Sequence, residues 1–180
     1  MSTSRRIVIA VGAASLVACA AQAPSRQPAF GAAVSAEEIA RWDISIPPSG
    51  AGLPAGSGTA KQGAAVYGAK CLACHGEKGA GKPADVLVGG VGSLATARPV
   101  RTVGSYWPYA TTLFDYVRRA MPITNPLSLS DDEVYSVSAY VLFLNGIVAE
   151  DAVMNAQTLP QVKMPNRDGF ASEWPPRARN

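Results

Sequence analysis

Between residues 59 and 150 apolar side chains recur at helical intervals; outside that stretch they stand singly. Leu113, Tyr116, Val117 and Ala120 share one side of a helix expected over 109–120. Ser130-Asp131-Asp132-Glu133 has capping-box spacing, with acids at the positive end of the helix dipole. The pattern continues through Val134, Val137, Ala139, Tyr140, Val141 and Leu144, then stops at Asn145-Gly146, a helix-ending pair. An earlier helix is expected over 59–71. No segment alternates as a strand, so the expected class is all-α.

The flanks read differently. Residues 20–58 are rich in Pro, Gly, Ala and Ser. Ser35-Ala36-Glu37-Glu38 can start a short helix through Trp42, after which Pro47, Pro48, Gly50, Gly52, Pro54, Gly56 and Gly58 oppose regular structure. Residues 151–180 contain four prolines and few periodic apolar positions. The expected organisation is therefore a Pro/Gly-rich N-terminal arm over 20–58, a helical domain over 59–150 and an extended C-terminal arm over 151–180. Spaced apolar anchors (Trp42, Ile44, Ile46, Leu159, Met164, Phe170 and Trp174) suit arms that wrap either a partner or their own domain.

Residues 1–19 read as an export signal. Arg5 and Arg6 precede an apolar run from Ile7 to Val17, too short to span a bilayer. The run ends in Leu16-Val17-Ala18-Cys19, which resembles a bacterial lipoprotein signal whose cysteine becomes lipid-modified. Cleavage near Ala21-Gln22-Ala23 is the alternative, opposed by Pro24. Either route places the chain in the periplasm, anchored to the membrane if Cys19 is acylated; stable anchoring needs more than one acyl chain.

Composition narrows the function. Apolar residues make up 48% of the 180 and charged residues 16%, which excludes a generally disordered chain. A formal charge of +3 is too small for a nucleic-acid binder working by phosphate neutralisation. Removing Arg5 and Arg6 leaves 14 basic against 13 acidic residues, so any docking relies on local patches.

The chemistry lies in Cys71-Leu72-Ala73-Cys74-His75, the attachment pattern for c-type haem. Two thiols add across the haem vinyl groups, and the adjacent imidazole must reach the iron. A helical turn brings the three side chains to one side. Zinc would usually need four ligands, and this segment offers three. A thioredoxin-like pair would accompany a βαβ pattern, which is not seen. The expected cofactor is one covalently attached haem c.

Around the motif, Gly63, Tyr67 and Cys71 follow at four-residue steps, and Val137 and Tyr140 lie on the last helix. The sequence over 59–150 thereby resembles the class I cytochromes c. The resemblance implies that the first and last helices cross closely at Gly63, with Tyr67 and Tyr140 packed beside it. His75 is the single histidine, which excludes bis-histidine ligation within one chain. Met121, Met154 and Met164 are the thioether candidates. Met121 follows the second helix, precedes Pro122, and fits the family order of histidine first and methionine later. His/Met ligation raises the potential and closes both axial positions, which favours electron transfer over catalysis.

The family also implies a proline carbonyl accepting the second ring N–H of the histidine, with Pro83 as the candidate. Leu87, Val88 and Leu94 are candidates to cover a haem face. Trp107 and Tyr109 suit either propionate contacts or core packing. Arg98 and Arg101 suit propionates or solvent, and Arg118 and Arg119 either a helix face in water or the steering of an acidic partner.

Longer strings carry a narrower resemblance: WDISIPPSGAGLPAGSG over 42–58, TVGSYWPYATTLFDYVRRAMP over 102–122, LSDDEVY over 129–135 and MPNRDGF over 164–170. Together they resemble the cytochrome subunits of bacterial sulfite dehydrogenases and related sulfur-oxidising dehydrogenases. The resemblance implies a monohaem electron-transfer subunit. It would accept electrons from a molybdenum-containing sulfite dehydrogenase catalytic subunit and pass them to a soluble cytochrome c or an oxidase. The lipoprotein-like start departs from that pattern. The alternatives are a freestanding carrier serving another dehydrogenase and a haem peroxidase with an open axial position.

Overall fold

The computed structural model describes residues 31–171, so Cys19 and Trp174 lie outside the described residues. The chain divides into two units, with the division between Asp43 and Ile44. In the first, helix α1 (Ala36–Trp42) starts where expected: the Ser35 hydroxyl accepts the Glu38 N–H, and Arg41 pairs with Glu37. None of its residues is buried.

Among the described residues the second unit holds four α-helices: α2 (Ala60–Lys70), α3 (Leu72–His75), α4 (Ala110–Ala120) and α5 (Asp131–Leu144). The all-α expectation holds, with one small addition. Strand β1 (Ser57–Gly58) pairs antiparallel with β2 (Met154–Asn155), Gly58 opposite Met154. Two of the helix starts are fixed by reciprocal capping boxes, Thr59 with Gln62 and Ser130 with Glu133. Each satisfies backbone donors that a helix start leaves unpaired. Among the described residues no helix is long and apolar enough to cross a membrane.

Helices α2 and α5 cross at backbone contact. A Cβ on Gly63 would fall onto the Ser136 carbonyl and lie 2.8 Å from the Tyr140 Cβ, so the crossing requires glycine here. Tyr67 and Tyr140 pack beside it with ring centres 5.3 Å apart. Lys70 and Glu133 pair at 3.0 Å, tying the end of α2 to the start of α5. Against α4, Tyr135 of α5 packs on Phe114 with ring centres 4.4 Å apart. Phe114, Val134, Tyr135, Ala139 and Leu142 are fully enclosed. Each large apolar side chain so buried contributes about 1.5–3 kcal/mol.

Residues 44–58 and 151–171 of the segments expected as arms are part of this packing. Ile46, Met154, Leu159 and Met164 are buried in the same core as the helices. Residues 44–58 form a strap whose backbone is fastened by side chains of α4 and α5. The Ile46 N–H donates to Asp115, the Thr111 hydroxyl to the Pro48 carbonyl, the Tyr135 hydroxyl to the Pro54 carbonyl, and the Ser57 N–H to Asp132. A Pro/Gly-rich segment cannot satisfy its own backbone in a helix or a long ladder, so long-range side chains do it instead.

Candidate haem site

Cys71 ends α2, its N–H still bonded to the Tyr67 carbonyl. The chain then re-enters a single helical turn, in which the Cys71 carbonyl accepts the N–H groups of both Cys74 and His75. That turn sets two thiols and one imidazole at i, i+3 and i+4, which places them on one side. Both cysteines are free, Cys71 half-buried and Cys74 exposed. Burial pushes the Cys71 thiol up to about 11; Cys74 adds to this and Lys70 opposes it.

The imidazole is oriented from behind. His75 Nδ1 lies 3.0 Å from the Asp85 carbonyl, which makes Nδ1 the protonated nitrogen and leaves Nε2 to bind metal. This corrects the expected acceptor, Pro83. The loop after the motif folds back through three bonds: Gly81 N–H to the His75 carbonyl, Ala84 N–H to the Cys74 carbonyl, and Lys82 N–H to the Ala84 carbonyl. Those bonds set Ala84 beside Cys74, so the next carbonyl, that of Asp85, faces the ring, while Pro83 sits exposed at the tip. A Cβ on Gly76 would meet the Gly81 carbonyl, so the return is possible only with glycine there. The Tyr67 hydroxyl donates to the Gly76 carbonyl at 2.8 Å, linking the helix crossing to the motif. Burial raises the Tyr67 pKa, and Cys71 adds to the shift.

The segment 86–105 follows as a loop held by its own polar side chains. Thr102 donates to the Gly89 carbonyl at 2.6 Å, Ser105 to the Val100 carbonyl at 2.6 Å and Ser93 to the Gly90 carbonyl at 2.6 Å. Asn145 staples the loop to the end of α5: its amide donates to the Leu87 carbonyl, and its carbonyl oxygen accepts the Gly89 N–H. The sequence shows Asn145 only as a helix stop. Its signal would have been an amide at a helix end, where glycine alone would serve. Leu87, Val88 and Leu94 are half-buried.

Met121 closes α4. Its N–H makes the last helical bond, to the Val117 carbonyl, and its own backbone is already extended. It is half-buried. Met154 and Met164, at 4% and 3% exposure, are enclosed in the core by the chain itself. Trp107 is half-buried, edge-on to Tyr116 at 5.7 Å. Tyr109 carries the Arg167 guanidinium 4.5 Å above its ring. Arg101 stacks over Tyr106 at 5.6 Å, while Arg98 is exposed. Arg118 pairs with Asp131 at 3.1 Å, and Arg119, its side chain 43% exposed, pairs with Asp115 at 2.6 Å.

The donor set fits a c-type haem. Two free thiols and a histidine with an oriented Nε2 occupy one turn. Among the described residues no group of three His, Cys, Asp or Glu side chains could hold a metal ion by itself.

The family described as cytochrome C oxidase, cbb3-type, subunit III, matches residues 58–141. Among curated proteins none matches the chain. Among solved structures the chain is similar to a chain of the sulfane dehydrogenase SoxCD from Paracoccus pantotrophus. The two are 41% identical with a TM-score of 0.76, over 82% of this chain and 73% of that one.

Proposed function

Since the chain is a c-type cytochrome of the class I fold with one covalently attached haem c, we propose that it is the monohaem electron-transfer subunit of a sulfite-oxidising complex. A molybdenum-containing catalytic subunit would supply its electrons. A soluble cytochrome c or an oxidase would receive them. The observation that carries this reading is the 41% identity to a chain of a sulfane dehydrogenase, over 82% of this chain.

When bound, the haem supplies a one-electron couple at its iron. The chain's residues hold and tune it. Cys71 and Cys74 attach the ring. His75 would bind iron through Nε2, with the Asp85 carbonyl holding Nδ1–H and keeping the imidazole in one orientation. Met121 would supply the second iron ligand; a thioether there would raise the potential and leave no open position for substrate. Trp107 and Tyr109 are the candidates to contact propionates. The export-like start supports a periplasmic location, with Cys19 as the candidate lipid anchor.

The test is purification of the native complex from membranes. Mass spectrometry of the partners and of the mature N-terminus should find a molybdenum-cofactor protein, and sulfite should reduce the haem only in its presence. Prompt reduction by another dehydrogenase, with none from the sulfite system, would overturn the partner assignment in favour of a freestanding carrier.

A further inference from the structure

The last turn of α4 delivers Met121, and it is fastened more heavily than a helix end requires. Asp115, with a side chain only 13% exposed, accepts three hydrogen bonds. Its Oδ1 takes the Ile46 N–H at 2.8 Å and Arg119 Nε at 2.9 Å; its Oδ2 takes Arg119 Nη2 at 2.6 Å. Ile46 is the strap's buried anchor. Next to this fork, Arg118 Nε donates to Asp131 at 3.1 Å, and its Nη1 reaches the Ile44 carbonyl at 3.5 Å. Two consecutive arginines, two and three residues before Met121, are thus tied to the strap and to the start of α5.

Helix ends ordinarily fray, because their final carbonyls have no partners within the helix. Here the turn is locked by a two-pronged guanidinium–carboxylate pair, whose carboxylate also takes a backbone N–H. Such charge-assisted bonds are roughly twice as strong as neutral ones. A thioether is a neutral, weak donor, so its hold on iron depends on being presented where it is needed rather than on charge.

We propose that Asp115 is a positioning residue for Met121: it locks the last turn of α4 onto the strap at Ile46 and so fixes where the sulfur is offered. The inference rests on Met121 being the second iron ligand.

The experiment uses the full-length, haem-loaded cytochrome. The oxidised protein is titrated with imidazole, and loss of the methionine–iron charge-transfer absorption is followed. Asp115→Ala should let imidazole displace the thioether with about tenfold higher affinity, the scale expected when hydrogen bonds to a charged group are lost. Asp115→Asn, which can still accept the Ile46 N–H, should fall between. Asp132→Ala frees Ser57 at the far end of the strap and should leave the affinity within about twofold, as distant sites act independently. Unchanged affinity in Asp115→Ala, or an equal rise in Asp132→Ala, would overturn the proposal. Should Asp115→Ala fail to mature, Asp115→Asn and Arg119→Met carry the same test. Met121→Ala separates the two assignments. If it keeps the absorption, the ligand assignment has failed. If it loses the absorption while the Asp115 variants bind imidazole as the parent does, only the positioning role has failed.

Discussion

The strap region and the haem region are both irregular chain laid against helices, yet they are closed in opposite ways. Over 44–58, polar backbone is met by side chains from α4 and α5, and Ile46 is buried by protein alone. Over 71–94, most backbone bonds are local, with Asn145 of α5 holding Leu87 and Gly89 from a distance. Gly81, Ala84 and Leu87 bond back to His75, Cys74 and Gly79, and the apolar side chains Leu87, Val88 and Leu94 stay half-buried. The strap is completed by the polypeptide, whereas the haem loop is shaped by the polypeptide and, on the proposed function, completed by the haem. Asp115 and Asn145 stand at the junctions: the first ties strap to α4, the second ties the haem loop to α5.

The largest test of that contrast is covalent. Replacing Cys71 and Cys74 together by Ala should abolish haem retention after denaturation, read as loss of the haem increment in the intact mass. Strap variants such as Tyr135→Phe should keep it. Loss of attachment in both sets would erase the distinction between the regions.

Next is the helix crossing that both regions share. Gly63→Ala places a methyl on the Ser136 carbonyl, and neither backbone can retreat without moving a helix. A loss of about 1–3 kcal/mol or more, the usual cost of overpacking, should appear in the urea midpoint. A midpoint equal to the parent's would mean that α2 and α5 do not cross this closely.

Acid separates the regions more gently. Burial pushes the Asp115 carboxyl up, but hydrogen bonds from Arg119 and the Ile46 N–H outweigh it and hold it below the ordinary value. Glu133 is held low by the Ser130 N–H and then by Lys70. A depressed carboxylate stabilises the fold above its unfolded pKa, about 4, and the stabilisation is lost as pH falls through the lower folded value. Urea midpoints should therefore drop as pH is lowered below about 4, and Asp115→Asn should flatten that drop. An identical drop in Asp115→Asn would show that the strap contact is not ionic.

The smallest expected effect is a single strap bond. Tyr135→Phe removes the donor to the Pro54 carbonyl and should cost about 1 kcal/mol in urea unfolding.

Much of this was legible in the sequence. The boundaries of α4 and α5 follow from periodicity, from the Ser130–Glu133 box and from the Asn145-Gly146 stop, all of which are local signals. Gly63, Tyr67 and Tyr140 were legible as a crossing because their spacing repeats a family pattern. The strap was legible only as one of two readings, arms wrapping a partner or their own domain. Ile46, Leu159 and Met164 are isolated apolar residues, and their partners are about sixty or more positions away or simply the packed core. Arg119 shows why charge patterns mislead: its i, i+4 partner Asp115 was visible in the sequence, but only the fold reveals that the same carboxylate holds Ile46. The shift from Pro83 to Asp85 has a similar cause, since the course of a short loop is set by backbone bonds that residue types do not announce.

The central proposal is that His75 and Met121 close the haem region at iron. The most direct measurement is the absorption spectrum of the oxidised, full-length holoprotein. A methionine–iron charge-transfer band, abolished in Met121→Ala, is the expected result. A five-coordinate high-spin spectrum without that band would contradict it and point instead to a haem protein with an open site.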